Sequence, residues 1–227
     1  MNKYPVWAKI AAFCAGFLFL IVLFLTCFQM TVFNRRFVSK EMQKYGVAQR
    51  IGMTDEALDE LYDEMLKYLE GKRDNLDIRV VRNGQETDAF YEKELLHMVD
   101  VEALFRKGFI LRNALAGITA LLLVLLIGRR QYRPICGGFL AASGFFTVAV
   151  GVLTYLLTRD FDRTFIKFHQ IFFTNDLWQL NYATDLLMNI VPETFSQDVA
   201  IRTIITFAAI WIPLLIVSVV LFIKKKK

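Results

Sequence analysis

The chain has 227 residues, of which 56% are hydrophobic and 22% charged, with a formal net charge of +5. That apolar share, with a positive mean hydropathy, argues against an ordinary soluble domain and calls for a search for membrane spans. The basic balance does not point to nucleic acid, because the placement of its Lys and Arg follows the spans.

Four apolar runs, Val6–Phe28, Ile110–Ile127, Ile135–Leu157 and Val199–Ile223, are each long enough to cross ~30 Å of hydrocarbon at about 1.5 Å per residue. Each must be a helix, since lipid offers backbone N–H and C=O groups no partner. The predicted fold is membrane α-helical, a four-transmembrane-helix bundle with a small α+β extracellular cap. Its expected segments are 1–28 as the first transmembrane helix and 29–109 as the cap with an interfacial helix. Residues 110–127 follow as the second span, 128–134 as a cytoplasmic loop and 135–157 as the third span. Residues 158–198 form a second extracellular segment, 199–223 the fourth span and 224–227 a cytoplasmic Lys tail. Lys3, Lys9, Arg129, Arg130, Arg133 and Lys224–Lys227 all fall on the side that holds both termini, with no Asp or Glu among them. A Lys/Arg bias of this kind predicts that this side is cytoplasmic.

The apolar core of the first span is longer than the h-region of a signal peptide and no small-x-small site follows it, so it reads as an uncleaved anchor. Leu25-Thr26-Cys27 departs from a lipidation box at Thr26. Cys14, Cys27 and Cys136 all lie in spans, so no extracellular disulfide framework is expected.

After the first span, Thr31–Arg50 gives no clear element. Thr54 reads as an N-cap with Asp55 and Glu56 in the first turn, and Leu58, Leu61, Tyr62, Met65 and Leu69 recur at helical spacing until Gly71. Leu76–Val81 alternates around Asp77 and Arg79, Asn83-Gly84 is a hairpin turn signal, and Thr87–Tyr91 can return. An isolated hairpin is marginal in water, so a partner strand from Thr31–Arg50 is expected. Glu92–Phe109 reads as an interfacial helix that Gly108 allows to bend before the second span. In the third span Gly137, Ala141, Gly144, Val148 and Gly151 share one face, which predicts close helix packing there. Past Leu157, Phe165, Ile166, Phe172 and Phe173 set His169 on an apolar stripe. Pro213 marks a site for a kink in the fourth span.

The only two histidines are His97 and His169. They lie at similar chain distances outside the ends of adjacent spans, one preceding its span and the other following, so they share a height at the interface and are predicted to meet. Asp100, three residues past His97 on a helix, is placed to fix the tautomer of that imidazole and raise its basicity. Two imidazoles and a carboxylate, with no serine or cysteine in a Gly-x-Ser-x-Gly elbow and no His-Glu-x-x-His helix, point to general acid–base chemistry without a covalent intermediate. A metal site from His97, His169, Asp100 and Asp185 would be short of ligands, and no ligand spacing is diagnostic. No cofactor is therefore expected. Arg112 and Arg202, near the outer ends of the second and fourth spans, either snorkel to phosphates or hold a lipid-ester substrate.

His97-Met98-Val99-Asp100-Val101, then Phe168-His169-Gln170-Ile171-Phe172-Phe173-Thr174-Asn175 with Trp178, Thr184-Asp185 and Pro192, resemble the pattern of the lipoprotein intramolecular transacylase family, four-span membrane proteins of Gram-positive bacteria. The resemblance implies a diacylglyceryl lipoprotein as substrate, in the company of membrane lipid. It further implies transfer of the sn-2 acyl chain to the α-amino group of the same N-terminal cysteine, giving a lyso-form lipoprotein. On that basis His97, oriented by Asp100, is expected as base and His169 as acid or oxyanion partner. Asn175 would donate to an oxyanion or cap a helix end. Trp178 would anchor at the interface or wall the substrate. Asp185 would pair with Arg202 or Arg112 or orient His169, and Tyr91 would make a polar contact. Phe165, Phe172, Phe173 and Leu96 would hold acyl chains. The alternative from a different class is a non-catalytic membrane sensor or assembly factor with a ligand-binding cap, whose histidines would tolerate Gln or Asn.

Overall fold

The computed structural model describes residues 4–224, whose regular elements are helices and one hairpin. In chain order the elements are α1 (Val6–Val32), α2 (Arg35–Lys44), α3 (Val47–Ile51), α4 (Asp55–Leu69), β1 (Arg79–Arg82), β2 (Gln85–Asp88), α5 (Glu92–Gly128), α6 (Tyr132–Arg159), α7 (Phe161–Phe172), α8 (Leu186–Ile190) and α9 (Glu193–Ile223). Among the described residues four helices, α1, α5, α6 and α9, are long and apolar enough to cross a membrane. The chain divides into a membrane unit (Met1–Cys27, Ile110–Thr164, Thr203–Lys227) and a cap unit (Phe28–Phe109, Phe165–Arg202). Gly108 does not interrupt α5, and α9 runs through Pro213 as one helix.

In the membrane unit small residues make the closest helix contacts, beside a cluster of large ones that includes Leu20, Phe139 and Phe207. Ala8, Ala12 and Ala15 of α1 are buried with Leu126 of α5. A Cβ on Gly138 would sit 2.4 Å from the carbonyl carbon of Ala12, and one on Gly16 would sit 2.8 Å from the Cα of Phe139, so the backbones of α1 and α6 touch. Close approach of this kind is how helices associate where lipid removes the hydrophobic drive. The contact face of α6 is therefore Gly138, Phe139, Ala142 and Ser143, one residue round from the predicted stripe. Ala141 and Val148 of that stripe are exposed, and a Cβ on Gly144 or Gly151 would meet nothing within 4 Å. Small residues recur on both faces of this span, and spacing alone did not say which face a neighbour would choose.

Several hydroxyls within the spans are satisfied inside the unit, as hydrocarbon demands. Thr26, Thr119 and Thr147 donate to the carbonyls of Val22, Leu115 and Ser143, each four residues earlier, at 2.7, 2.8 and 2.8 Å. Trp211 Nε1 donates to Ser143 Oγ at 3.1 Å. Large apolar side chains such as Leu121, Val124 and Ile216 point outward instead, the pattern of a surface facing lipid tails. None of Cys14, Cys27 and Cys136 is in a disulfide.

The cap unit has a conventional core, with Val38 and Met42 of α2, Leu58, Leu61, Tyr62 and Met65 of α4, Val80, Phe90 and Leu186 packed in one cluster. Helices α2 and α4 start where side-chain acceptors precede them. Asn34 accepts from the Phe37 amide at 3.0 Å and Thr54 from the Ala57 amide at 3.2 Å. The hairpin turns through Asn83 (φ 51°) and Gly84 (φ 78°) with Arg82 paired to Gln85, the left-handed pair of a two-residue turn.

Its expected third strand is replaced by helices. Thr31–Arg50 contributes α2 and α3, and the hairpin is held at its turn by the Gly52 carbonyl, which accepts from the Asn83 amide at 2.8 Å. Arg82 Nε donates to the Ile51 carbonyl at 3.2 Å. Phe37, Val38 and Met42 are buried on one side of α2 while Arg35, Arg36 and Lys40 stay exposed, a helical period that a strand could not satisfy.

Five-residue α8 is too short to be stable alone and is held by side chains from three other elements. Glu94 of α5 accepts from the Leu187 amide at its start (2.7 Å), Arg50 donates to the Asn189 carbonyl at its end (2.9 Å), and the Tyr62 hydroxyl donates to the Ile190 carbonyl.

Candidate active site

His97 lies one turn past Glu94 on α5, and His169 lies near the end of α7, both within the cap unit. Their rings are neighbours, with centroids 6.2 Å apart and planes inclined by 37°. Both are buried, at 7% and 8% exposure. Aromatic side chains surround them. Phe165 (4.1 Å between centroids), Trp178 (5.0 Å) and Phe168 (5.3 Å) lie against His169, and Phe173 lies 5.5 Å from His169 and 5.4 Å from His97. Trp178 is nearly parallel to the His169 ring, at 29°, so it stacks on the imidazole.

The two imidazoles differ in their hydrogen bonding. His169 Nδ1 lies 2.8 Å from the Phe165 carbonyl. A carbonyl only accepts, so Nδ1 carries the proton and the neutral ring presents Nε2 as a lone pair. Burial holds the pKa of His169 below the 6.5 of a free imidazole, partly offset by the Phe165 carbonyl. His97 Nδ1 is buried and has no hydrogen-bond partner among the described residues. A buried polar atom left open in this way is unusual in a folded chain.

No hydrogen bond joins Asp100 to His97 among the described residues. The Asp100 carboxylate accepts from Asn175 Nδ2 at 2.8 Å, while Asn175 Oδ1 accepts from the Leu177 amide at 3.1 Å. Asn175 thus closes its own turn and ties the segment after α7 to α5. The i,i+3 spacing allowed the His97 pairing, but the asparagine from a distant segment took the carboxylate.

The model of the lipoprotein intramolecular transacylase Lit family matches residues 13–196. The chain belongs to the lipoprotein intramolecular transacylase family. Solved structures of the membrane integral Lit of Bacillus cereus are similar to it. One aligns with a TM-score of 0.74 at 17% identity, over 95% of this chain and 93% of that one. Two others, in which a histidine is replaced by arginine or by alanine, each align with a TM-score of 0.76 at 16% identity. They cover 95% of this chain and 92% and 93% of theirs. No curated protein matches the chain.

The remaining candidate residues of this Lit-family chain lie elsewhere. Asp185 accepts from the Asn181 amide and the Thr184 hydroxyl, both at 2.7 Å, so it closes the turn before α8, and no ion pair joins it to Arg202 or Arg112 among the described residues. Arg202 places its guanidinium 4.4 Å from the centre of the Phe37 ring, a cation–π contact. Arg112 belongs to the membrane unit and donates to Asn113 Oδ1 at 2.9 Å. The Tyr91 side chain is exposed, and its amide donates to Glu94 Oε2 at 2.9 Å. Among the described residues no group of three or more His, Cys, Asp and Glu side chains is arranged to hold a metal ion.

Glu94 is the residue that sequence reasoning missed. It is fully buried, and its two carboxylate oxygens accept the amides of Tyr91 and Leu187, the starts of α5 and α8. Its position three residues past the cap is half of a capping box, a signal hidden because Tyr91 stands where Ser or Thr is usual. The Phe165 carbonyl left no trace in the sequence, since every residue carries one.

Proposed function

We propose that the protein moves the sn-2 acyl chain of an S-diacylglyceryl cysteine to the α-amino group of that same cysteine, with the histidine pair as its catalytic centre. The observation that carries this reading is the buried pairing of His97 and His169 inside an aromatic surround. The amine nucleophile and the ester belong to one molecule, so orienting them converts the reaction into a unimolecular step.

In this mechanism His169 is the base, because the Phe165 carbonyl holds its proton on Nδ1 and leaves Nε2 to accept. The amine adds to the ester carbonyl carbon as Nε2 takes its proton. The tetrahedral carbon then loses the sn-2 oxygen, and the same Nε2 returns the proton to it. A C–N bond forms, a C–O bond breaks, one proton passes from nitrogen to oxygen, and no water is consumed. Attacking and leaving atoms share one carbon, so a single imidazole reaches both. His97, uncharged beside the transient imidazolium, donates a ring N–H to the oxyanion. This reverses the roles expected from Asp100, which is held by Asn175. Exposed Phe168 and Phe172 of α7, with Leu96 of α5, offer apolar surface for acyl chains. The cap faces outward and both termini are cytoplasmic, as the Lys/Arg bias indicates.

The test is mass spectrometry of the N-terminal lipopeptide of a model lipoprotein, made in cells lacking other N-acylating enzymes. Wild-type protein is expected to give an N-acylated lyso form of unchanged total mass, whereas His97→Asn, His169→Asn and no protein leave the diacylglyceryl form. The same lipopeptide in all four samples sinks the proposal.

A further inference from the structure

We infer that the membrane unit holds an anionic phospholipid at a second site, on the side of both chain ends. A cavity of about 440 Å³ opens there between the starts of α1 and α6 and the end of α9. Among the described residues its charged lining is Lys9 and Arg133, with no carboxylate, and Tyr4 adds a hydroxyl. The Arg133 guanidinium lies 5.1 Å from the centre of the Phe222 ring. A guanidinium held by an aromatic contact is pre-organised to grip the oxygens of a phosphate. The other walls are apolar, with Phe13 and Phe222 the largest.

That combination selects the ligand. Cations with a hydroxyl suit a phosphodiester, and basic pockets between membrane helices on the cytoplasmic side are sites for lipid head groups. Phe13 and Phe222 suit the glycerol and the first methylenes of an acyl chain and give a free phosphate nothing. Gly137 lets the Phe222 ring lie against α6 as a wall of the cavity, because a Cβ there would come 2.9 Å from that ring. Lys9, Arg133 and Phe222 all belong to the membrane unit and the histidines to the cap unit, so the inference does not depend on the reaction assigned to the histidines.

Native mass spectrometry of the full chain tests it, with phosphatidylglycerol, phosphatidylcholine and sn-glycerol 3-phosphate as probes. Wild-type protein should retain phosphatidylglycerol about tenfold better than the Lys9→Gln/Arg133→Gln double variant. It should do so by a similar factor over Gly137→Leu, which keeps both cations and pushes the Phe222 wall of the cavity out of place. Phosphatidylcholine should be retained no better by wild type than by the variants. Equal retention of phosphatidylglycerol in all three proteins overturns the inference. Displacement of the lipid by an equal concentration of glycerol phosphate overturns the lipid assignment in favour of a plain phosphate site. Photo-crosslinking phosphatidylglycerol to the wild type needs no variant to fold, and should label the peptides around Lys9, Arg133 or Phe222. Label confined to other peptides overturns the inference as well.

Discussion

In the cap unit Leu58, Leu61 and Met65 point inward while Arg35 pairs with Asp63 and Arg73 with Glu64 at the surface. In the membrane unit Leu20, Phe139 and Phe207 are buried too, but small residues make the closest contacts and many large ones face outward. Ala8, Ala12 and Ala15 are buried, Leu121 and Val124 are exposed, and Gly138 sits against the backbone of a neighbouring helix. Solvent explains the difference. Water drives large apolar side chains together, whereas lipid tails accept them freely and leave backbone contact and van der Waals packing to hold the helices. Glu94 and both histidines are buried in the cap, where Glu94 and His169 meet backbone partners and His97 Nδ1 is left open.

The comparison can be broken most severely at the histidines. His169→Asn or His97→Asn is expected to slow lyso-form production by roughly 10³-fold, the range of a lost general acid–base group, read by the lipopeptide assay. A residual rate within tenfold of wild type for both variants would mean that the polar centre of the cap is structural.

The acidic limb of the rate profile separates the two rings. His169 works as base only when neutral, and its pKa is lowered by burial. Wild-type rate should therefore hold through pH 6.5 and fall by about tenfold per pH unit only below the depressed pKa. His97→Asn should keep that limb at a lower rate, and His169→Asn should abolish it. Linkage gives the matching stability effect. The unfolded chain binds a proton at His169 before the folded one does, so this contribution to stability is complete above the unfolded pKa and is lost as pH falls from there to the folded pKa. A denaturation midpoint that His169→Asn renders less pH-dependent below pH 6.5 would confirm the sign.

Glu94→Ala should cost roughly 2–4 kcal/mol, because it strips buried amides at the starts of two helices of their acceptor. Gln, which keeps one acceptor oxygen, should cost less than Ala. Unchanged unfolding midpoints for both variants would show that the clamp on α8 is not stabilising.

The membrane unit is probed by a pair of glycines. Gly138→Ala forces a methyl into the Ala12 backbone and should cost roughly 1–3 kcal/mol, while Gly144→Ala, with nothing nearby, should stay within about 0.5 kcal/mol. Equal midpoints in detergent would refute the close contact of α1 and α6. A small effect is expected at Asn175→Ala, which removes exposed hydrogen bonds to Asp100 and to the Leu177 amide and should cost about 1 kcal/mol, a few-fold in rate at most.

Much of this molecule is local and legible in the amino-acid sequence itself. The length and hydropathy of the four spans, Thr54 and Gly71 at the ends of α4, and the left-handed pair Asn83-Gly84 all follow from forces that act within a few residues of chain. The nearness of His97 and His169 is legible too, because two spans measured against one bilayer set a common height for what lies just outside them. Tertiary structure alone decided which partner each group found. Asp100 stands three residues from His97, yet Asn175 claimed it. Gly138 rather than Gly137 met α1, the hairpin took Gly52 and Ile51 in place of a third strand, and Glu94 found Leu187 across 93 residues of chain. Spacing along a helix fixes the direction of a side chain, but a hydrogen bond goes to the donor that packing delivers to it, and that donor can come from any part of the chain.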